Sequence, residues 1–360
     1  MSEIFSQMCT LRVWSIWLSR QAWSRDKISP GPDARGGVVA QRGRPPKEGH
    51  RQGPSQLVLA GAIARRHYVD GWSKVELAEE FGLSRFQVAR ILADARRNGW
   101  VRVEISLPGN IDDEASLAVQ RQLGVGRAIV VDVPEQSDAA VREELAAVTA
   151  ELLTEQIRPG NVVGLTWSRT ITRMVERLDR LAPCTVVQLA GSIALPGASA
   201  GTVELVRSVA AVAGGESLPI YAPLVVEDAA TAAALRRQPE IARALQQAES
   251  LDVAVVALGR WAPGLSTVWD VVGESEREAG LAHGALGECS GRLFDAEGRD
   301  VAGGFDDRVV GVTLDRLRAT PEVVAIGYGV PRADAVRAAV RSGFVTTLVI
   351  DTATARGLLE

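Results

Sequence analysis

Residues 73–92 read SKVELAEEFGLSRFQVARIL, and their spacing predicts two short helices that meet across a tight turn. Ala78 falls where the helices touch, and its small side chain lets the two backbones approach. Four residues on, Gly82 supplies the positive φ that such a turn needs. Val88 and Ile91 anchor the second helix, while Leu77, Phe81 and Leu92 fill the same core. Ser84 is placed as the N-cap of that helix, which leaves its first turn free to enter a major groove. Arg85, Phe86, Gln87 and Arg90 then project outward, and Arg and Gln are side chains that pair with guanine and adenine edges. A plain α-hairpin with solvated arginines needs only the alanine and the glycine. The cap, the core positions and the outward arginines occur here together, so the expected partner is a double-stranded DNA operator.

Charge around this stretch agrees. The 360 residues carry a formal net charge of −4, which by itself points to no polyanion. Residues 41–107, however, hold 12 Lys/Arg against 7 Asp/Glu, whereas residues 108–360 hold 23 against 34. A basic module beside an acidic one suits a chain in which only the first faces nucleic acid. Upstream, Leu57, Ile63, Ala64 and Tyr68 mark one face of a further helix that Gly71 ends, with Ser73 placed to cap the next. Helices are expected over 74–81 and 84–98, the last stopped by Gly99. Arg96 and Arg97 at its end, with Arg102 beyond, suit phosphate contacts better than base reading. "WVRVEISLP", residues 100–108, alternates as a strand. The helix-turn-helix domain is thus expected over 55–108. Residues 1–54 show little apolar periodicity and are expected to form a disordered basic extension. Arg42-Gly43-Arg44-Pro45 within it resembles an AT-hook core, a minor-groove arm, but four residues recur easily by chance and a solvated basic linker is the favoured reading.

From residue 109 to 360, strands and helices alternate. Short β-rich runs lie at 127–133, 161–165, 184–189, 219–222, 252–258, 323–327 and 345–350, and helical stretches at 138–158, 201–213, 227–247 and 332–342. Near-continuous apolar runs such as "VAVVAL" imply burial on both faces, hence an α/β, Rossmann-like domain with a mainly parallel sheet. The three cysteines, Cys9, Cys184 and Cys289, are far apart and form no C-x-x-C pair. With only three histidines, neither a zinc site nor a disulfide framework is expected, and no cofactor. Such a chain suits a reducing cytoplasm. No apolar run reaches the ~18 residues of a membrane span.

The stretch "VVGLTWSRTITRMVERL", residues 162–178, runs from a strand through a Gly/Thr/Ser turn into a helix. Free N–H groups at the helix start, with the hydroxyls of Thr166, Ser168 and Thr170, make a candidate phosphate cradle to which Arg169 adds charge. An ordinary capped βα turn has the same composition. Arg260 follows the strand "VAVVALG", and loops after parallel strands are where α/β sheets bind ligands.

"YVDGWSKVELAEEFGLSRFQVARILADARRNGWVRVEI" resembles the N-terminal module of SorC/DeoR-type sugar-responsive transcriptional regulators. The similarity continues through "GNVVGLTWSRT", "DVAVVALGR", "GALGECSGRLFDAEGRDV" and "VVAIGYGVPRADAVRAAVRSGFVTTLVIDTATARGLLE", covering about residues 56–360. The resemblance implies a winged helix-turn-helix joined to an effector domain folded like ribose-5-phosphate isomerase and glucosamine-6-phosphate deaminase. It implies a sugar or phosphosugar effector and a homodimer or homotetramer. Within it, Gly164 and Trp167 belong to the effector-binding turn, Glu288 to a position that holds sugar hydroxyls, and Arg332 to one that meets the phosphate. Two departures weaken a bisphosphate reading and leave room for an unphosphorylated sugar or polyol. "LAGSIALPG", residues 189–197, lacks the basic residue that some members place there, and Trp167 replaces a small residue. The alternative is an isomerase or deaminase on the same fold. Those deaminases carry Asp-Gly-His in a Gly-rich loop, whereas "ALGRWAPGL", residues 257–265, has neither Asp nor His. His283 has no carboxylate neighbour to orient it, so no catalytic residue is expected.

Overall fold

Ser73 and Ser84 each open a helix by the same device. In each capping box the serine Oγ accepts the backbone N–H of the third helical residue, Glu76 or Gln87. That residue's side chain in turn accepts the serine's own N–H, satisfying two donors that a helix start leaves orphaned. The computed structural model describes residues 53–102, 110–134, 137–193, 201–302 and 305–360. The chain divides into two compact units, Met1–Ile105 and Ser106–Glu360. In the first, α1 (Pro54–Tyr68), α2 (Lys74–Phe81) and α3 (Arg85–Arg97) pack around Ile63, Ala64, Leu77, Val88 and Leu92. Ala78, Phe81 and Ile91 pack against that cluster half-buried. Gly82 ends α2 at φ 63°, the left-handed turn that a Cβ would oppose. Arg66 lies over the Trp72 ring at 4.6 Å and pairs with Glu80 at 3.4 Å, tying the end of α1 to α2. Of the strand expected over 100–108, Trp100–Arg102 are irregular, and the remainder lies outside the described residues, as does the segment holding Arg42–Pro45.

The second unit is α/β. In chain order it contains β1 (Ile111–Asp112), α4 (Asp113–Leu123), β2 (Arg127–Val131), α5 (Asp138–Gln156), β3 (Val162–Leu165), α6 (Arg169–Glu176) and β4 (Thr185–Gln188). Then come α7 (Thr202–Ala213), β5 (Ser217–Leu218), α8 (Ala229–Arg236), α9 (Pro239–Gln247), β6 (Val253–Ala257), β7 (Gly259–Arg260), α10 (Thr267–Val271) and α11 (Glu274–Ala282). β8 (Gly287–Cys289), β9 (Arg292–Phe294), α12 (Leu314–Arg318), β10 (Glu322–Ile326), α13 (Ala333–Arg341), β11 (Thr347–Asp351) and α14 (Thr352–Leu359) complete it. Eight strands form one sheet in the order β1-β2-β11-β10-β6-β3-β4-β5. Every neighbouring pair is parallel except β1–β2.

Apolar residues cover both faces. Ala254, Val256, Ala325, Leu348 and Ile350 point into one layer, and Val253, Val255, Val324, Ile326 and Val349 into the other. That alternation is why these strands read as unbroken apolar runs. From β3 the chain moves outward to β4 and β5, then returns to place β6 on the other side of β3 before continuing to β10 and β11. The order therefore reverses between β3 and β6, and a crevice opens at their carboxyl ends.

Two expectations need correction. The helix expected over 227–247 is broken into α8 and α9, because Pro239 has no N–H to continue a helix and instead opens a new one. The strand expected at 219–222 lies earlier, at Ser217–Leu218, where the chain pairs with Val186 and Val187 of β4. A second, antiparallel sheet, β7-β8-β9, carries residues of the crevice.

Candidate functional site

The crevice at the β3–β6 reversal is a cleft of about 840 Å³, its open mouth included. Trp167, Ser168, Arg169 and Thr170 enter it from the β3–α6 turn, Glu288 from β8 and Arg332 from the turn before α13. Six sequence-predicted positions from three separate segments thus share one cavity. Gly164, Thr166 and Arg260 are not among its lining residues. Gly164 lies within β3 where a Cβ would approach Leu189 and Leu251 side chains at 2.5–2.8 Å, so its place is set by packing. Thr166 is buried with its N–H donating to the Val255 carbonyl at 3.1 Å. Arg260 donates to the Pro331 carbonyl at 3.1 Å and lies 3.5 Å from Asp334, bracing the turn that carries Arg332.

At the β3–α6 turn, the Ser168 Oγ accepts the Ile171 N–H at 3.0 Å and caps α6. The backbone N–H groups of Arg169 and Thr170 find no partner among the described residues, and the Arg169 side chain is exposed. A helix start with free donors and a nearby guanidinium attracts an anion.

Glu288 is 6% exposed. Its Oε1 accepts the Ser266 hydroxyl at 2.8 Å and its Oε2 the Gly291 N–H at 3.2 Å. Burial pushes its carboxyl up from the ordinary range, against the lowering pull of both hydrogen bonds and of the Arg332 charge. Gly259 makes room for it: a Cβ there would lie 2.3 Å from Oε1. Arg332 lies over the Tyr328 ring at 5.1 Å and donates to the carbonyls of Leu265 (3.1 Å), Tyr328 (3.1 Å) and Gly264 (3.4 Å). Its turn is held from below by Asp351, whose carboxylate accepts the Gly329 N–H at 3.1 Å.

Ser266, Gly259, Tyr328 and Asp270 were not singled out from sequence. Ser266 carries the clearest signal, since it is also the N-cap of α10, accepting the Trp269 N–H at 3.1 Å. Asp270 lines the cleft and holds the Gly264 N–H at 3.1 Å. No histidine lines the cleft. His283 is exposed at the end of α11, its Nδ1 2.7 Å from the Ala279 carbonyl. Burial pushes up the thiols of Cys184 and Cys289. Among the described residues, no group of three or more His, Cys, Asp or Glu side chains is placed to hold a metal ion. None of their helices is long and apolar enough to cross a membrane.

On the first unit, Ser84, Arg85, Phe86, Gln87 and Arg90 are all exposed along the start of α3. Arg85 and Arg90 make no hydrogen bond or ion pair with any described residue, whereas Arg96 donates to the Tyr68 hydroxyl and Arg97 pairs with Asp94.

The family model named Sugar-bind, "Putative sugar-binding domain", matches residues 109–360. The chain is similar to the deoxyribonucleoside regulator of Bacillus subtilis (strain 168), 25% identical over 84% of this chain and 97% of that protein. It is similar also to the transcriptional regulator LsrR of Enterobacter sp. (strain 638), 27% identical over 84% of this chain and 92% of that one. The crystal structure of the full-length sorbitol operon regulator SorC from Klebsiella pneumoniae shares the fold, with TM-score 0.66 at 20% identity. It covers 84% of this chain and 99% of that one. A sugar-binding domain carried on a chain that matches regulators over nearly their whole length places this protein in the SorC/DeoR-type family of sugar-binding transcriptional regulators.

Proposed function

We propose that this protein reads an operator with α3 and that a sugar or phosphosugar seated in the β3–β6 cleft alters its affinity for that operator. One observation carries the proposal. The regulator matches cover 84% of this chain, more than residues 109–360 contain, so they reach into the α1–α3 unit as well as the sugar-binding domain. The local geometry supports it. Arg85 and Arg90 are uncommitted, and the cleft pairs a free helix start at α6 with a buried carboxylate at Glu288. A cleft without a histidine, whose one deeply buried acid is already hydrogen-bonded twice, suits binding rather than proton transfer. One copy of α3 fills one half-site, so we further infer a homodimer or homotetramer on a palindromic operator, acting in the cytoplasm.

Fluorescence anisotropy with duplexes from upstream of the protein's own operon, at fixed salt, is the test. Specific binding is expected at least ~10³-fold tighter than to random duplex, and at least one sugar or sugar phosphate should shift it. Binding that never distinguishes operator from random DNA ends the regulator reading. Operator binding that no sugar or sugar phosphate alters ends the effector reading.

A further inference from the structure

Phe86 is 86% exposed, more than any other large apolar side chain among the described residues. It stands on the first turn of α3 between two uncommitted arginines. Phe86 and Arg90 are four residues apart and so lie one above the other on one helix face, about 6 Å apart along the axis. Gln87, next to them, is differently placed. Its Oε1 accepts the Ser84 N–H at 2.7 Å while its own N–H donates to the Ser84 Oγ at 3.2 Å. Only the amide oxygen can accept from an N–H, so this bond fixes the orientation of the amide and takes one of the oxygen's two lone pairs. Bidentate pairing with adenine needs that acceptor for the N6 amino group. In this geometry the amide is held against the helix start, and adenine would have to share its oxygen with the Ser84 N–H.

We infer that Phe86 reads the C5-methyl group of a thymine in the major groove, beside a guanine read by Arg90, and that Gln87 serves the helix cap. The inference rests on the reading of α3 as the operator-facing helix. The methyl is the apolar group that the major groove offers, and a benzyl side chain left in water has most to gain from covering it. With base pairs ~3.4 Å apart, the 6 Å offset puts the methyl within about two base pairs of that guanine. The same chemistry is presented by 5-methylcytosine, so the test includes both bases.

An operator obtained by selection from random duplexes with the full-length protein is scanned by replacing each thymine with uracil, which removes the methyl and keeps the pairing. At one thymine per half-site, uracil should weaken wild-type binding about threefold to fivefold, the worth of one buried methyl. Phe86→Ser should bind the thymine and uracil duplexes equally at that position while keeping the wild-type melting curve, because the side chain packs on no core. At that position cytosine should bind better once 5-methylated. If methylation gives no gain, the methyl is not the group being read and the assignment to Phe86 fails. Gln87→Glu keeps an acceptor for Ser84, so it should lower affinity uniformly through added charge without altering any base preference. A preference changed at one position overturns the cap assignment. Indifference to uracil at every thymine, with Arg85→Ala and Arg90→Ala still losing specific affinity, sinks the inference alone. Failure of the selection to yield any preferred sequence sinks the operator reading beneath it.

Discussion

Arg85 and Arg90 stand on the exposed start of α3 with no partner among the described residues, unlike three other arginines of their unit. Arg66 is spent on Trp72 and Glu80, Arg96 on Tyr68 and Arg97 on Asp94. A guanidinium without a partner keeps its donor fork for a base edge. Arg85→Ala and Arg90→Ala should each lower specific operator affinity by about 1–3 kcal/mol and relax preference at one base pair, with the melting temperature unchanged. Titration against cognate and single-substituted duplexes decides it, and equal affinities for mutant and wild type refute the assignment. In the cleft the decisive residue is one without a side chain. Gly259→Ala puts a Cβ 2.3 Å from the Glu288 Oε1, so the carboxylate must swing away from Ser266. A melting point lowered by the equivalent of roughly 1–3 kcal/mol is expected, with loss of any sugar-induced shift. Glu288 also has a pH signature. Its carboxyl is raised above the unfolded value by burial, so the folded state holds the proton more tightly. The associated stability is present below pH ~4.3 and is lost as pH rises through the raised value. The urea midpoint of wild type should therefore fall relative to Glu288→Gln between pH ~4 and ~8, and parallel curves over that range contradict it. The family resemblance singled out Glu288, while Gly259 and Ser266 were missed, because their roles arise only when β7 pairs with β8 and brings residues far apart in the chain together.

Elements were legible to the extent that their causes are local. Both capping boxes, the Gly82 turn and the three helices of the first unit follow from residues within four positions of one another, and each lies where spacing predicts it. Ser84→Ala removes the hydroxyl that accepts the Gln87 N–H, so it should destabilise the α1–α3 unit by about 1 kcal/mol. It should also weaken operator binding by fraying the turn that carries Arg85 and Phe86. Ser84→Asp, another good cap, should restore the stability, as read by amide hydrogen exchange along α3. Protection that stays the same in Ser84→Ala means that tertiary packing alone holds the helix. The sheet β7-β8-β9 was not legible because its strands are two or three residues long, too short to show a period. The break at Pro239 was visible in the sequence, yet helical composition on both sides masked it. β5 escaped because two residues pair along β4 while the more strand-like run after them does not.

At the scale of the whole molecule, a ligand in the cleft and an operator on α3 must be coupled if the protein is a switch, and linkage makes the coupling reciprocal. A sugar changes operator affinity only to the degree that it prefers one of two states with different affinities for DNA. The cleft offers a way to separate binding from response. Ser168 caps α6 at the point where an anion would sit. Ser168→Asp preserves the cap, since an aspartate accepts the Ile171 N–H equally well, and leaves a carboxylate where a phosphate would come. The variant should fold, and it should bind operator as wild type does in the absence of ligand. With a phosphosugar at 100 times its dissociation constant, wild type gains about 2.7 kcal/mol of stability and shifts its melting point. Ser168→Asp should lose that shift and the effector response together. A thermal-shift screen that sets each sugar beside its monophosphate makes the choice that the residues alone leave open, because Arg169 and the free α6 donors favour an anion while Trp167 and the lack of a basic residue in the sequence 189–197 leave room for a neutral sugar. Stabilisation by monophosphates alone, erased in the variant, assigns the α6 start to the phosphate. Stabilisation by neutral sugars alone, retained in the variant, makes that start an ordinary capped turn and leaves recognition to Glu288 and its neighbours.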